Sequence, residues 1–367
     1  MVKRMIEEYF NTDGFKKIEM TSREEWDKII DMFPSADSYY TYDYVNALKV
    51  HGDGTPCIFL YKKSDKLALN VSMLRNINDL SYLKLPKDKM YFDISTPYGY
   101  GGFIYNSEFN EEELLELSHK YAEFCRENNI ICEFVRFHPV IKNYEQGHLI
   151  YDTIFIGNTI SIDLDNEEQI WSDITSKNRN VIRKAIKNDV KINVSNSREL
   201  IPEFMDMYKK TMDRDCASSY YYFEKEYYET LFSSEDDGVT FFYASYEEQI
   251  ISMAIILKKA NQIHYHLSAS NYEYRNLAAT NLLLFEASKW GLKKSCKSFH
   301  LGGGVGGDPD DSLFKFKRSF NKQEVKEFYI GKKIFDEDAY ATVINSIDKD
   351  VELKDNFFPV YRAVKDK

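Results

Sequence analysis

No run of about 18 to 20 apolar residues, the length a helix needs to cross a bilayer, occurs in this chain of 367 residues. Its first stretch, Met1 to Met20, also lacks the apolar core of a secretory signal. The expectation is a cytoplasmic, soluble protein without an integral membrane segment. Cysteine is sparse. The five present, Cys57, Cys125, Cys132, Cys216 and Cys296, are odd in number, widely spaced and free of any CxxC pair, a pattern of buried free thiols rather than a redox or metal motif. Positive charge is in short supply too. Lys and Arg number 48 against 59 Asp and Glu, a net charge of −11, which disfavours a broad nucleic-acid binder that would work by neutralising phosphates. Local basic segments can still hold one anionic ligand.

Several catalytic signatures are missing. Gly306-Gly307-Asp308 stands where a P-loop would need Gly-Lys-Ser/Thr, and no G-x-S-x-G elbow is present. Gly303 to Asp308 fits one copy of the calcium-binding nonapeptide, an architecture that needs stacked repeats. His264, His266 and His300 come without supporting carboxylate spacing. No metal is expected.

What the chain does have is apolar and aromatic material: 43% hydrophobic residues and 15% aromatics, 28 of them tyrosine. That suffices for two cores at this length. One order of elements is readable twice. In the first half, β-rich runs flank a Lys-Lys-Ser-Asp-Lys turn between Pro56 and Arg75, and a strand near Tyr91 to Ile94 leads into the loop Ser95 to Gly102. An amphipathic helix from Glu111 to Asn128 carries Leu114, Leu117, Tyr121 and Phe124 on one face, and a strand over Ile130 to Phe137 follows. In the second half a hairpin over Val239 to Lys258 precedes a strand, Gln262 to Ser268, and a polar loop to Asn276. A helix from Leu277 to Leu292, with Gly291 near its end, then precedes a strand at Lys297 to Leu301. Helices around Arg23 to Phe33 and Leu200 to Asp213 precede the two hairpins. The pattern predicts two copies of one α/β unit: a first domain over 1–157 and a second over 158–329. The tail 330–367 is expected to pack back on the first.

Three segments carry candidate chemistry. Lys177 to Lys191 is the most basic stretch; Val181, Ile182, Ala185 and Ile186 form an apolar stripe, while Arg179, Arg183 and Lys187 recur four apart on another face. That face reads as a phosphate or carboxylate clamp or as a solvated surface. Residues 299–320 place five of the 16 glycines ahead of Leu313-Phe314-Lys315-Phe316-Lys317-Arg318. Asp311 or Ser312 can cap a short helix there with Leu313, Phe316 and Phe320 on one side and Lys315, Lys317 and Arg318 elsewhere; a strand with both lysines outward is the alternative. Either way a lysine sits beside aromatic anchors, placed to stabilise an oxyanion or a phosphate. Finally, Arg275-Asn276-Leu277-Ala278-Ala279-Thr280 opens a helix with small residues, where free N–H groups attract anions.

Taken together, Thr96-Pro97-Tyr98-Gly99-Tyr100-Gly101-Gly102, the Arg-Asn-x-Ile-Arg-Lys-Ala pattern from Arg179, His266-Leu267-Ser268-Ala269-Ser270 with Arg275, Phe299-His300-Leu301-Gly302-Gly303-Gly304, and Phe316-Lys317-Arg318-Ser319-Phe320 resemble the FemABX family. The resemblance spans residues 96–320 in the expected order. It implies a tandem GNAT-like α/β fold with mixed sheets, and an acyltransferase that moves an acyl or aminoacyl group to an amine of a cell-wall precursor or related acceptor. It implies acyl-CoA or aminoacyl-tRNA as co-substrate, tRNA as a partner in the second case, and no tightly bound cofactor. By the same resemblance Lys317 is the expected catalytic residue. Arg179, Arg183, Tyr98, Gly99, Gly101, His266, Arg275, Gly303, Gly304 and Phe316 are expected to bind substrate. The GNAT acyl-CoA signature is altered to Arg275-x-x-Ala278-x-Thr280, which weakens a pyrophosphate site. The competing reading is a non-catalytic GNAT-like module that holds a nucleotide-linked sugar or peptide.

Overall fold

Turns with left-handed residues set the two hairpins: Ser64 at φ 57° in the first half, Glu247 and Glu248 at 47° and 64° in the second. Around them the computed structural model, which describes residues 9–20, 22–234 and 236–365, resolves into two units. The first runs to Phe155 and resumes at Phe328; the second is Ile156–Glu327.

In the first unit, strands β1 (Gly14–Glu19), β2 (Thr55–Lys63), β3 (Lys66–Asn76), β4 (Phe92–Ser95) and β6 (Ile130–Arg136) lie in that order, with β5 (Ile104–Tyr105) also on β3. Only β4 and β6 run parallel among these pairs. Helices α1 (Arg23–Ile30), α2 (Tyr42–His51), α3 (Glu111–Glu127) and α4 (Tyr144–Gly147) accompany them. The Asn110 side chain and Glu113 close a capping box on α3. Leu114, Leu117, Tyr121 and Cys125 of α3 join Phe59, Ile94, Val135 and Phe137 in one apolar core.

The second unit takes up β7 (Asp152–Asp163) from residue 156 and continues through α5 (Glu167–Asp173), α6 (Ser176–Lys187), β8 (Lys191–Ser195), α7 (Ile201–Arg214), α8 (Lys225–Leu231), β9 (Val239–Tyr246), β10 (Gln249–Lys259), β11 (Gln262–Ser270), α9 (Ala279–Lys293), β12 (Ser298–Gly302) and α10 (Ser312–Arg318). Its strand order is β7-β12-β11-β10-β9-β8, and β11 with β12 is the parallel pair. Ile182 and Ala185 of α6 pack with Leu283, Leu284 and Ala287 of α9 and with Phe299 of β12. Gly291 lies within α9 rather than capping it. A Cβ there would press on Ile263 and Leu164, so the glycine serves helix–sheet contact. The predicted stripe of α6 is also narrower than its sequence, since Ile186 is 54% exposed.

After this the chain returns to the first unit as β13 (Lys326–Ile334), antiparallel to β6, and α11 (Glu337–Asn345). Beyond α11, Arg362 Nε and Tyr361 OH donate to Asp93 Oδ2 at 2.6 and 2.8 Å, and Arg75 Nε donates to Oδ1 at 2.6 Å. Burial pushes the Asp93 carboxyl up, but Arg75 and Arg362 outweigh it and hold it below the usual carboxylate range.

A second buried carboxylate belongs to β6. Glu133, fully buried, accepts from Asn70 Nδ2 at 2.7 Å, from Tyr121 and Tyr151 hydroxyls at 2.9 Å each, and from Ser72 Oγ at 3.4 Å. Burial still wins over these donors and over nearby Lys333, and pushes Glu133 up to about 7. Tertiary context shaped what sequence periodicity did not mark: β1, β8, β13, α2 and α8 are short or weakly patterned elements that gain stability from the sheet edges and cores they cover.

Candidate active site in the second unit

Strands β11 and β12 pair in register at Gln262↔Ser298, Ile263↔Phe299 and His264↔His300. Past His264 and His300 each strand keeps only its outer neighbour: β11 stays with β10 to Ser270, and β12 stays with β7 to Gly302. The two parallel strands therefore part at their C-terminal ends. Brought to that edge are His266 on β11, the loop after Gly302 on β12, and the helix α10 that follows the loop.

The Asp311 side chain caps α10 by accepting from Phe314 N at 2.8 Å, which settles the choice between helix and strand. The facing is not the predicted one. Leu313 is exposed, whereas Lys317 is buried with 9% exposure. Its ammonium donates to Gly303 O at 2.7 Å. Burial lowers Lys317 to about 8, partly offset by the Asp311 carboxylate. At neutral pH most of it is charged, and it sits in a poorly hydrated setting where a cation acts strongly on a developing oxyanion. Phe316 and Phe320 pack edge to face at 5.5 Å beside it.

The glycine loop owes part of its composition to its own chain. Gly302, Gly306 and Gly307 have φ of 77°, 67° and 75°. A Cβ on Gly304 would enter the Asp311 carboxylate and Phe314, one on Gly307 would enter the Ile156 carbonyl, and one on Gly303 would come within 3.1 Å of Asn158 O. Close main-chain packing thus accounts for these glycines, and the loop delivers Gly303 O to Lys317.

Other residues of the predicted set are placed as follows. His266 Nε2 lies 2.8 Å from the hydroxyl of Tyr227. Burial and the adjacent His264 lower it to about 3, so it is a neutral imidazole with little basicity. Arg179 Nη1 donates to the carbonyls of Trp171, Ser172 and Ile174 at 3.3, 3.2 and 2.6 Å, closing the end of α5. Arg183 is exposed; its guanidinium lies 5.1 Å from the Trp171 ring centroid and bonds Asn180 Oδ1. Arg275 is exposed, with its guanidinium 4.1 Å from the ring centroid of Tyr272.

Tyr98, Gly99 and Gly101 belong to the first unit, in the loop after β4. The Tyr98 carbonyl accepts from the Tyr44 hydroxyl, and Gly99 O accepts from Arg136 Nε at 2.8 Å. Gly101 N donates to Arg136 O at 2.8 Å, and a Cβ on Gly101 would lie 2.9 Å from Thr96 Cγ2. Lys317, Gly303, Gly304 and Phe316 are thus gathered at one end of β12. Arg179 and Arg183 share the α5–α6 corner of the same unit. Tyr227 was missed in the sequence, because only the fold sets it against His266.

Residues 176–318 match the Acetyltransferase (GNAT) domain family. Over 171 residues, 46% of this chain, the sequence is 27% identical to a UDP-N-acetylmuramoylpentapeptide-lysine N(6)-alanyltransferase of Weissella viridescens, and the match spans half of that relative's length. In fold the chain is similar to FemX, with a TM-score of 0.66 at 15% identity over 89% of this chain and 99% of that one. It is also similar to L-PGS from Bacillus licheniformis, with a TM-score of 0.54 at 14% identity over 90% and 98%. No described helix is long and apolar enough to cross a membrane. The second unit thus carries the match to the GNAT domain family, and along most of its length the chain has a mixed α/β fold similar to that of FemX.

Proposed function

We propose that the protein transfers an aminoacyl group from an activated donor to an amine of a cell-wall precursor, in the cytoplasm. The observation that carries this reading is the buried Lys317 ammonium, held on Gly303 O at the parting ends of β11 and β12. The amine nitrogen attacks the donor carbonyl, a tetrahedral oxyanion forms, and the carbon–oxygen bond of an ester or the carbon–sulfur bond of a thioester breaks as the amide forms. The proton lost by the amine ends on the leaving group or on water. Lys317 opposes the charge on the oxyanion, which exists only along the reaction path, so its contribution is to turnover rather than to ground-state binding.

The donor we favour is aminoacyl-tRNA. Lys177, Arg183, Lys184 and Lys187 of α6 are exposed, and none of them is in an ion pair among the described residues. A row of unneutralised cations on an otherwise acidic chain suits a polyanionic donor. Arg183, next to the α5 end that Arg179 closes, is the residue we assign to the anionic substrate. Incubating the protein with a UDP-linked muropeptide and either labelled aminoacyl-tRNA or labelled acyl-CoA tests this. Label should pass from aminoacyl-tRNA to the precursor. Transfer from acyl-CoA alone would overturn the donor, and binding of the muropeptide with no transfer from either would leave a binding module instead.

A further inference from the structure

The helix that carries Lys317 is anchored to the body of the second unit at its C-terminal end. Thr175 N donates to Ser319 O at 2.9 Å, Asn321 Nδ2 donates to Ser161 O at 2.6 Å, and Phe320 is buried in the core. At the other end the contacts come from the preceding loop, and they converge on Asp311. Its Oδ2 accepts from Phe314 N at 2.8 Å, and its own N donates to Asp308 O at 3.2 Å. The same carboxylate fills the space that a Cβ on Gly304 would need. Gly303, one residue earlier, supplies the carbonyl on which the Lys317 ammonium rests at 2.7 Å. One side chain therefore joins the start of α10 to the loop segment against which the lysine of its last turn is held.

The three acids of this loop are not equivalent. Asp308 Oδ1 accepts from Asp310 N at 2.8 Å and closes its own turn, and Asp310 pairs with Lys315 at 2.8 Å on an exposed surface. Asp311 is half-buried, and it is the carboxylate that opposes the fall of Lys317 to about 8 on burial. Other charged and titratable groups around α10 are engaged with their own partners. Arg318 donates to the carbonyls of Asn321, Lys322, Gln323 and Glu324, His300 Nε2 lies 2.9 Å from Thr159 Oγ1, and Asp173 accepts from Gln169 and Gln323. We propose that Asp311 is the positioning residue for Lys317: it locks the Gly303–Gly304 turn against the start of α10 and sets a negative charge near the buried ammonium. This rests on the transferase reading for what Lys317 does, though not for how Lys317 is held.

Two variants separate the two duties. Asparagine caps a helix about as well as aspartate does, without the charge. Asp311→Asn should therefore keep most of the turnover on the acid side of neutrality, while the decline with rising pH begins about one pH unit lower than in the wild type, a shift of the size one opposite charge supplies. Asp311→Ala loses the cap as well. It should lower kcat about tenfold or more at every pH, with KM for the acceptor changed only a few-fold, as misplacement of a reacting group does. The titration of Lys317 can also be followed with no substrate present, from its rate of acetylation by acetic anhydride against pH, read on the Lys317 peptide by mass spectrometry. In Asp311→Asn that midpoint should fall by the same amount as the decline in turnover. An unmoved midpoint in Asp311→Asn, or wild-type kcat in Asp311→Ala, overturns the inference. A midpoint that moves in a protein that transfers nothing overturns the transferase reading and leaves Asp311 as the residue that holds Lys317. Because Asp311→Asn keeps the cap, its result stands even where Asp311→Ala is too unstable to assay.

Discussion

Each unit contains one pair of parallel strands, and the two pairs end differently. In the second unit the ladder between β11 and β12 stops at His264 and His300. In the first, the β4–β6 ladder is prolonged by the loop after β4. Thr96 N donates to Phe134 O at 3.1 Å, Arg136 N to Thr96 Oγ1 at 3.1 Å, and Gly101 N to Arg136 O at 2.8 Å. A parallel bridge joins Gly101 to Phe137. Tyr100, buried in that loop, packs on Phe328, and the Arg136 guanidinium lies 4.9 Å from the Phe328 ring centroid. The first unit thus occupies with its own backbone the place that the second leaves for other groups. The two units share one architecture and differ at this edge: in the first the loop after β4 and Arg136 close over the strand ends, while in the second the strands part beside the buried Lys317.

That contrast can be broken most decisively at Lys317. Lys317→Ala should lower turnover by roughly a hundredfold or more, the usual loss for one oxyanion donor, with acceptor affinity changed only a few-fold. A steady-state assay at saturating acceptor checks it, and unchanged turnover would remove the lysine from the chemistry. In the first unit the corresponding disruption should strike stability. Asp93→Ala strands Arg75 and Arg362 and should cost about 3 to 5 kcal/mol, read as a lower urea midpoint, while turnover per folded molecule holds. A proportionate loss of turnover in the folded fraction would mean that the first unit takes part in the reaction.

A subtler difference lies in pH. Glu133 titrates near 7 in the folded protein and near its ordinary 4.5 when unfolded. Between those values the native state binds more protons, so this group makes stability fall as pH rises from about 4.5 to 7, by up to about 3 kcal/mol. Glu133→Gln should flatten the melting midpoint over that window. Lys317 behaves in the opposite sense. Lowered from 10.5 to about 8, it binds fewer protons in the folded state, so its contribution makes stability rise with pH between about 8 and 10.5. Turnover should decline as pH passes 8, because the ammonium is lost. A pH–rate profile flat from 7 to 9 would contradict the charged role.

The order of elements was legible because each hairpin, the α3 and α9 helices and the strands β4, β6, β11 and β12 show alternation, β-rich runs or three-and-four spacing, whereas the parallel pairing of those strands came only with the fold. Lys317 was legible as a lysine among phenylalanines, but its burial was not. In a seven-residue helix of about two turns the side that turns inward is chosen by the Asp311 cap and by the loop whose Gly304 packs on Asp311 and Phe314. The basic helix misled in part for a similar reason: four-residue spacing put Arg179 and Arg183 on one row, yet Arg179 turns back to close α5.

The return of the chain to the first unit after the second is complete has a consequence for synthesis. β6 finds its neighbour in β13, and Asp93 finds Arg362 and Tyr361, only after residues 156–327 have been made. On a ribosome the second unit, continuous in sequence, has all its strands available first, while the first unit waits with an open sheet edge and an incompletely neutralised Asp93. The N-terminal half of this protein is therefore the later half to be finished.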